Sequence, residues 1–314
     1  MATAVVATAY GGPEVLSLVE VEVPEPGPGE VSIAVRAAGV NPFDYKLYSG
    51  AFGTDPSKLP IRLGLEVAGV VTAVGPDAEG PAGPISVGDE VIATVGGGYA
   101  TAVTVPAAGV VPKPADVDWK HAAGVLSVGG TAVHLLAATG VGPGDTVLIH
   151  GAAGSVGALA AQLAVARGAR VIGTASPSRH ERLRAYGVEP VAYGPGLADR
   201  VKALAPNGID VALDTVATEE AVDVSLELVA DRSRIATIVA FDRAAAEGFK
   251  ALGMGPGADP GTEIRGNAWR ELLPLLSTGK LDLAIAKTFP LSEAAAAHEL
   301  VIEGHAGGKV ILLP

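Results

Sequence analysis

The stretch from Val147 to Gly157, Val-Leu-Ile-His-Gly-Ala-Ala-Gly-Ser-Val-Gly, decides the fold of this 314-residue chain. An apolar run leads into glycines at 151, 154 and 157, and an alanine-rich run from Leu159 to Ala164 follows. A strand, a glycine turn and a helix in this order are typical of a site for the pyrophosphate of a dinucleotide. Gly154 lets backbone N–H groups approach the phosphates, and Gly157 lets the helix pack closely on the strand. The predicted phosphate-binding residues are Gly151, Ala153, Gly154, Ser155, Val156 and Gly157. The alternative is a glycine-rich turn without a ligand.

The end of the next predicted strand indicates which dinucleotide binds. Sites for NAD usually place Asp or Glu there, about 20 residues after the last glycine. Residues 174–180 read Thr-Ala-Ser-Pro-Ser-Arg-His, with no acid before Glu181. The hydroxyls of Ser176 and Ser178 and the guanidinium of Arg179 suit a 2′-phosphate, because a charged donor strengthens such hydrogen bonds. We therefore predict NADPH rather than NADH; the alternative is that Arg179 only begins a solvated helix.

Two kinds of patterning divide the chain. In the first third, Val31, Ile33 and Val35 alternate with other residues, and further short strands are separated by glycine turns, which favours a small barrel. After about Trp119, apolar strands alternate with helical stretches; the predicted strands are 146–150, 170–174, 209–214 and 234–239. Apolar strands without polar alternation predict a parallel sheet that is covered on both faces. The length fits about two domains of an α/β protein.

Composition excludes several classes of function. Acidic residues outnumber basic ones by 34 to 22, a net charge of −12, which disfavours nucleic acids and anionic membranes as partners. The chain has no cysteine, so disulfides, thiolate nucleophiles and Cys-based metal sites are excluded. The uncharged run 146–166 has the length of a membrane span, but its glycines favour a strand, a turn and a buried helix. Residues 1–20 carry Glu14 and Glu20 and do not resemble a signal peptide, so a cytoplasmic location is predicted.

Five segments, in collinear order over essentially the whole chain, carry a resemblance to a known family. They are Pro26–Val31, Ala37–Pro42, Val87–Val91, Gly151–Gly157 and Gly304–Val310. They resemble the zinc-free quinone oxidoreductases of the medium-chain dehydrogenase/reductase superfamily. The resemblance implies a GroES-like β-barrel catalytic domain over residues 1–120, completed by residues 268–314. It also implies a Rossmann domain with a doubly wound parallel sheet over residues 121–267, and a homodimer.

The same resemblance implies that both zinc sites of the superfamily are missing. Zinc-binding members have a cysteine after the Ala-Gly-Val stretch and a Gly-His-Glu segment later, where this chain has Asn41 and Gly64-Leu65-Glu66. The chain departs from its own family too: Ser155 replaces the second glycine of a usual pair, and Lys46 replaces a tyrosine that many members have. Tyr45 and Tyr48 flank Lys46, so the identity of the proton donor stays open.

The family places the Asn41 region beside the nicotinamide, which makes Asn41, Tyr45 and Lys46 the candidate catalytic residues. The Asn41 amide would donate to the substrate oxygen, and Tyr45 or Lys46 would stabilise the developing charge. The alternatives are a packed aromatic ring and a solvated lysine. Further cofactor contacts are implied at Thr131, Tyr193, Thr215, Val216, Ala240, Phe241 and Lys309. The remaining histidines 121, 134, 150 and 298 are interpreted as packed or surface residues.

The residues and the resemblance together predict NADPH-dependent hydride transfer to a quinone or an α,β-unsaturated carbonyl compound, without a metal. Two alternatives remain. One is an enoyl reductase for a thioester or polyketide intermediate on the same fold. The other is a protein that binds NADPH as a sensor or structural component without turnover, because a fold does not guarantee a reaction.

Overall fold

The computed structural model describes residues 1–304 and 306–314 and divides into two units. Unit 1 comprises Met1–Ser127 and Glu271–Pro314, and unit 2 comprises Val128–Arg270. The sequence prediction placed the corresponding boundaries at 120/121 and 267/268. His305, within the Gly304–Val310 segment that carried part of the resemblance, lies outside the described residues.

The described part of the chain forms helices and strands with the following bounds. The strands are β1 Ala2–Ala7, β2 Leu16–Val21, β3 Glu30–Val40, β4 Ile61–Arg62, β5 Glu66–Val74, β6 Glu79–Gly80, β7 Gly83–Pro84, β8 Glu90–Thr94, β9 Ala102–Pro106, β10 Val110–Pro112, β11 Thr146–His150, β12 Arg170–Thr174, β13 Glu189–Val191, β14 Val211–Asp214, β15 Ile235–Thr237, β16 Lys250–Ala251, β17 Ile285–Pro290 and β18 Lys309–Leu313. The helices are α1 Pro42–Tyr48, α2 Trp119–Thr139, α3 Ser155–Ala166, α4 His180–Ala185, α5 Leu197–Leu204, α6 Glu219–Leu228, α7 Phe241–Glu247, α8 Thr262–Asn267, α9 Trp269–Ser277 and α10 Ala294–Ile302.

Unit 1 is built around β3, which pairs antiparallel with β5, β9 and β18. Its larger sheet has the order β10-β8-β5-β3-β18-β17, and β2-β1-β4 form a second sheet. The alternation predicted from sequence is present, since Val31, Ile33 and Val35 are all buried. Ser32 is buried as well, and its hydroxyl has a hydrogen-bond partner in Thr104 of β9 at 2.9 Å. The C-terminal strand β18 lies between β3 and the edge strand β17 of the larger sheet.

Unit 2 contains a sheet of six parallel strands in the order β13-β12-β11-β14-β15-β16. Three consecutive residues of β11, Val147 to Ile149, are fully buried, so both faces of the sheet are covered. On one face, residues of α5 and α6 pack with Leu148, Ala212 and Ile235 in a single core. This is the doubly wound parallel sheet that the apolar strands predicted.

Two strands are shorter than predicted. The strand expected over 209–214 begins at Val211, and the one expected over 234–239 ends at Thr237. The second difference has a clear cause: the Thr237 hydroxyl accepts the N–H groups of Val239 and Ala240 at 3.1 and 2.9 Å, which turns the chain out of the sheet.

The apolar run 146–166 forms β11, the glycine turn and α3. Among the described residues, α2 is the one helix with the length and apolar composition of a membrane span. Most of α2 is buried inside the protein, as is common for the core helix of a globular domain.

Candidate active site

The glycine turn between β11 and α3 has little room for side chains on one side. A Cβ atom on Gly157 would lie 2.3 Å from the carbonyl oxygen of Gly151, which is backbone and cannot move aside. Gly151 has a φ of +75°, and a Cβ there would lie 2.5 Å from both Thr215 Oγ1 and Val216 Cγ1. Gly157 therefore lets α3 approach β11, as the sequence predicted, and Gly151 lets the turn pack on the end of β14.

The other side of the turn is open. Gly154 is exposed, and a Cβ there would meet only the Gly151 oxygen, at 3.3 Å. Gly154 is the N-cap of the 12-residue helix α3 and has no side chain to cap it. The N–H groups of Ser155, Val156 and Gly157 make no hydrogen bond within the described residues. Free N–H groups at the positive end of a helix fit an anion, so the turn fits the pyrophosphate of a dinucleotide.

A row of buried polar side chains fixes the loops that follow the parallel strands. His150 of β11 lies opposite Asp214 of β14, and Asp214 lies opposite Thr237 of β15. Asp214 Oδ1 accepts the N–H groups of Val216 and Ala217 at 3.0 and 3.1 Å, and Oδ2 accepts the Thr237 hydroxyl at 2.7 Å. Burial raises the pKa of Asp214, and these hydrogen bonds oppose that rise. Asp214 thus holds the loop that begins at Thr215, where a cofactor contact is expected.

Thr174 of β12 and His150 of β11 differ in whether their side chains have hydrogen-bond partners. Thr174 accepts the N–H of Gly151 at 3.1 Å, and the His150 carbonyl accepts the hydroxyl of Thr215 at 2.7 Å. The His150 ring is buried, its Nε2 has no partner within the described residues, and burial lowers its pKa to about 4. His150 is therefore a neutral, packed side chain.

The predicted 2′-phosphate residues lie on the loop after β12. Ser176 and Ser178 approach each other with 3.2 Å between their hydroxyl oxygens. Arg179 is half-buried, and its side chain makes no hydrogen bond or ion pair in the part of the chain that the structure describes. Arg182, which the sequence analysis did not single out, donates to the Ala153 carbonyl at 2.8 Å and so connects α4 to the glycine turn.

The remaining residues expected at the cofactor in unit 2 lie in several places. Thr131 is buried on α2, and Tyr193 is 56% exposed after β13. Ala240 is buried at the end of the β15 loop, and Phe241 begins α7. A Cβ on Gly255 would lie 2.5 Å from the Phe241 ring, so the absence of a side chain at Gly255 makes room for that ring.

In unit 1, the structure brings Asn41 and Lys309 together. Lys309 Nζ donates to Asn41 Oδ1 at 2.5 Å and to Glu66 Oε1 at 2.8 Å. The side chains of Lys309 and Glu66 are only 2% and 1% exposed. Lys309 is expected to contact the cofactor, and the structure shows its ammonium bound by Asn41 and Glu66 of its own unit. Glu66 was noted in the sequence only for its place in the Gly-Leu-Glu segment.

Tyr45 and Lys46 lie on α1, the helix that begins after Asn41. Both side chains are half-buried, and neither makes a hydrogen bond or an ion pair within the described residues. Tyr45 packs against the core of unit 1. The two side chains are thus available to a substrate, whereas Tyr48 is fully buried.

A chain of buried hydrogen bonds lies on the other side of Asn41. Asp44 accepts the Asn41 N–H at 2.8 Å, the Gly64 N–H at 3.0 Å and the Tyr99 hydroxyl at 2.9 Å. His298 Nε2 lies 3.2 Å from the Tyr99 hydroxyl, and its Nδ1 lies 2.7 Å from the Tyr48 hydroxyl. Burial raises the pKa of Asp44 to about 6 and lowers that of His298 to about 4. This network fixes the start of α1, and with it the backbone of Asn41.

The described residues contain no group of three or more His, Asp or Glu side chains arranged to hold a metal ion. Sequence reasoning missed Asp44, Asp214 and Thr237. The signal for Asp214 was its position at the end of a predicted strand, and Thr237 lay inside the predicted strand 234–239. Asp44 stands three residues after Asn41, at the spacing that lets a helix-start side chain bond back to the N-cap N–H.

Comparison with known proteins agrees with this architecture. A model of the alcohol dehydrogenase GroES-like domain matches residues 27–115, and a zinc-binding dehydrogenase model matches residues 186–312. A quinone oxidoreductase from Pseudomonas aeruginosa is 34% identical, with 100% of both chains covered. The spectinabilin polyketide synthase protein NorB from Streptomyces orinoci is 32% identical over 96% of this chain, which spans 14% of that protein. A mycobacterial protein solved in complex with NADPH has a TM-score of 0.85 and 32% identity, with 100% of both chains covered.

The fold and the site thus define a medium-chain dehydrogenase/reductase, with a GroES-like domain and a Rossmann-type parallel sheet. Within that superfamily, the chain belongs to the zinc-free quinone oxidoreductases. The resemblance on which the sequence interpretation rested is confirmed, and so is the predicted fold class.

Proposed function

We propose that this oxidoreductase uses NADPH to reduce quinones or α,β-unsaturated carbonyl compounds, without a metal ion. The observation that carries the proposal is the open glycine turn at the start of α3, whose first three helical N–H groups have no partner within the described residues. The acid-free loop with Ser176, Ser178 and Arg179 follows the neighbouring strand, and an unpaired guanidinium there suits a 2′-phosphate. The NADPH complex of the mycobacterial neighbour supports the same cofactor.

Under this proposal, each residue around the turn has a task in binding NADPH. The N–H groups of Ser155, Val156 and Gly157 would bind the pyrophosphate, and Arg179 with the two serines would bind the 2′-phosphate. Asp214 and Thr237 keep the loops after β14 and β15 in place through five hydrogen bonds. NADPH bound at the turn would supply the hydride, and the chain has no cysteine thiol that could act as a reductant.

Asn41 is proposed to bind the carbonyl oxygen of the substrate. Its backbone is fixed by Asp44 and its side chain by Lys309, so the amide is oriented before the substrate arrives. A preorganised donor aimed at an oxygen that gains negative charge lowers the barrier, and removing one such donor costs about 100-fold or more in rate. Tyr45 and Lys46, half-buried on the same helix and without partners within the described residues, are the two candidates for proton delivery.

The test is a turnover assay with purified protein. NADPH is mixed with 1,4-benzoquinone or small enones, with and without a chelator, and its absorbance is followed against an enzyme-free control. Turnover with NADPH that survives the chelator is expected. Loss of activity with the chelator would contradict the metal-free mechanism. Binding of NADPH without hydride transfer to any acceptor would favour the sensor or structural role. Unchanged turnover in Tyr45→Phe and Lys46→Ala would remove both residues from the mechanism.

A second candidate function is the reduction of an enoyl thioester. The observation that favours it is the match to a polyketide synthase protein over 96% of this chain. The two functions share the hydride donor and the Asn41 donor and differ in the length of the substrate. Faster turnover of a crotonyl thioester than of any quinone would select the second function.

The remaining expectations stay proposals. We propose a small-molecule substrate, a cytoplasmic location and a homodimer, with no nucleic acid or membrane as partner. The net charge of −12 supports the absence of a polyanionic partner. Sedimentation of the purified protein at several concentrations tests the dimer.

A further inference from the structure

The pair Lys309 and Glu66 is an unusual feature of unit 1 because both charges lie inside the protein. Lys309 Nζ contacts Asn41 Oδ1 at 2.5 Å and Glu66 Oε1 at 2.8 Å, and Glu66 Oε2 accepts the Ser127 N–H at 2.9 Å. Both side chains are at least 98% buried. A buried ion pair adds little net stability on average, because burial removes the hydration of both charges. Stability alone therefore does not explain why the ion pair lies beside Asn41.

The fold makes room for this pair by means of glycines. A Cβ on Gly39 would lie 2.6 Å from Glu66 Oε1 and 2.5 Å from the Ala123 carbonyl. A Cβ on Gly124 would lie 3.0 Å from Lys309 Cγ. A side chain at Gly39 would overlap Glu66 and the Ala123 carbonyl, and one at Gly124 would crowd the Lys309 side chain.

Asn41 is also the N-cap residue of α1. An asparagine at this position commonly caps its helix with the side-chain oxygen. Here Asn41 and Asp44 form a capping box at the start of α1, and the Asn41 oxygen also accepts from the buried Lys309 ammonium. Asp44 binds the Asn41 N–H from the helix side.

The hydrogen bond from Lys309 decides which end of the Asn41 amide can bind a substrate. An amide has an acceptor oxygen and a donor nitrogen, whereas an ammonium group has donors only. The end of Asn41 that faces Lys309 must therefore be the oxygen, which places the NH₂ group at the other end. The neighbours of Nδ2 are Glu66 Oε1 at 3.4 Å and the Gly39 carbonyl at 3.5 Å, both at the long limit of hydrogen bonding.

We propose that Lys309 and Glu66 are positioning residues: they hold the Asn41 amide with its NH₂ group directed to the substrate oxygen. Glu66 holds the ammonium of Lys309, and Lys309 holds the oxygen of Asn41. Without the ammonium, the amide is free to turn and present its oxygen, which repels the oxygen of the substrate. This inference rests on the proposed function, in which Asn41 donates to that oxygen.

A double-mutant cycle tests the inference through kinetics. Lys309→Met and Asn41→Ala are made singly and together, and kcat for a quinone is measured beside the Kd for NADPH. Asn41→Ala is expected to lower kcat about 100-fold, as loss of one such donor does. Lys309→Met is expected to lower kcat about 10- to 100-fold in the parent, but less than about twofold in the Asn41→Ala background. An equal loss in both backgrounds would overturn the inference.

Three further variants separate positioning from folding. Lys309→Met leaves Glu66 buried without its partner, so Lys309→Met/Glu66→Gln removes both charges and keeps the volume. If this double variant unfolds at the wild-type temperature, its kcat should still be lowered about 10- to 100-fold; wild-type kcat would contradict the inference. Lys309→Arg restores a donor-only cation and should recover part of kcat. Lys280→Met, at an exposed lysine of the same unit, is the matched control and should change neither kcat nor stability.

A readout without turnover keeps the inference distinct from the proposed function. Neutron diffraction of deuterated crystals locates the amide deuterium atoms of Asn41. They are expected at the end away from Lys309 in the wild type, and turned or divided between both ends in Lys309→Met/Glu66→Gln. An unchanged amide in the variant would overturn the positioning role. Failure of the wild type to reduce any acceptor would overturn the proposed function. The orientation of the Asn41 amide would still be decided by the neutron measurement alone.

Discussion

Two glycines of the turn after β11, Gly157 and Gly154, are predicted to have different tasks. Replacing each one singly separates an effect on folding from an effect on phosphate binding. In Gly157→Ala, the added Cβ would lie 2.3 Å from the Gly151 oxygen, 2.9 Å from the Gly151 carbonyl carbon and 3.0 Å from Ala152 Cα. All three atoms are backbone, so α3 must move away from β11. Overpacking of this kind costs about 1–3 kcal/mol, and the alanine returns up to about 1 kcal/mol of helix propensity. We expect a net loss of about 2 kcal/mol in the free energy of unfolding, together with weaker binding of NADPH.

Gly154→Ala is the matched comparison. Gly154 has φ −76° and ψ 168°, which alanine adopts without strain, and its Cβ would meet one atom at 3.3 Å. The free energy of unfolding should therefore stay within about 0.5 kcal/mol of the wild type. The new methyl group stands on the open side of the turn, where the pyrophosphate is proposed to bind. We expect the Kd for NADPH to rise about tenfold or more, since a difference of about 1.4 kcal/mol suffices for that factor.

The assays are urea unfolding and a titration of NADPH by its fluorescence, with both variants and the wild type side by side. If Gly157→Ala unfolds at the same urea concentration as the wild type, the close approach of α3 to β11 is not what Gly157 provides. If Gly154→Ala binds NADPH as tightly as the wild type, the turn is not the phosphate site.

Three further predictions concern the surrounding residues. Arg179→Ala should weaken NADPH by about tenfold or more and leave NADH within about twofold, because only NADPH has the 2′-phosphate; equal changes in both Kd values would contradict this role. Asp214→Asn should lower the free energy of unfolding by about 2 kcal/mol, since its new NH₂ group would face the Thr237 hydroxyl, whose oxygen already accepts two N–H groups. Urea unfolding at constant pH measures this loss, and an unchanged midpoint would contradict the prediction. His150→Leu should reduce acid sensitivity. Burial lowers the pKa of His150 from 6.5 to about 4, so the unfolded chain binds the proton first and stability is lost as the pH falls from about 6.5 toward 4. This group contributes up to about 3 kcal/mol of that loss, and an unchanged slope of stability against pH in the variant would argue against it.

The parallel sheet could be predicted from sequence because burial on both faces leaves a local signal. A strand such as β11 is apolar at consecutive positions, and the glycines after it are needed for backbone contacts within ten residues. The same local logic identified Ser176 and Arg179 as the residues that follow the next strand. These features depend on neighbours in the chain.

The interior of unit 1 could not be predicted in this way. Lys309 and Glu66 are 243 residues apart, and each looks like an ordinary surface charge in its own segment. Their burial becomes visible only when β18 is placed beside β3. The resemblance implied a cofactor contact at Lys309, which stays a prediction; the structure adds that the Lys309 ammonium is bound to Asn41 and Glu66. Long-range pairing of charges leaves no periodicity in a sequence, and a single chain gives no other signal for it.

The buried polar row of unit 2, formed by His150, Asp214 and Thr237, could be predicted from sequence only in part. His150 and Asp214 each end a predicted strand and Thr237 lies within one, so their positions in the sheet were visible. The hydrogen bonds of Asp214 to the next loop were not, because they depend on where Val216 and Ala217 turn. Ala217 does so with a φ of +59°, which no local sequence rule assigns to an alanine.

The measurement that tests the central claim most directly is the initial rate of NADPH oxidation by 1,4-benzoquinone in the presence of a chelator, for the wild type and Asn41→Ala. We expect saturable turnover by the wild type above the enzyme-free rate, unaffected by the chelator, and a kcat about 100-fold lower in Asn41→Ala at unchanged Kd for NADPH. A wild type that binds NADPH but reduces neither quinones, enones nor a crotonyl thioester would contradict the account. So would an Asn41→Ala variant that turns over as fast as the wild type.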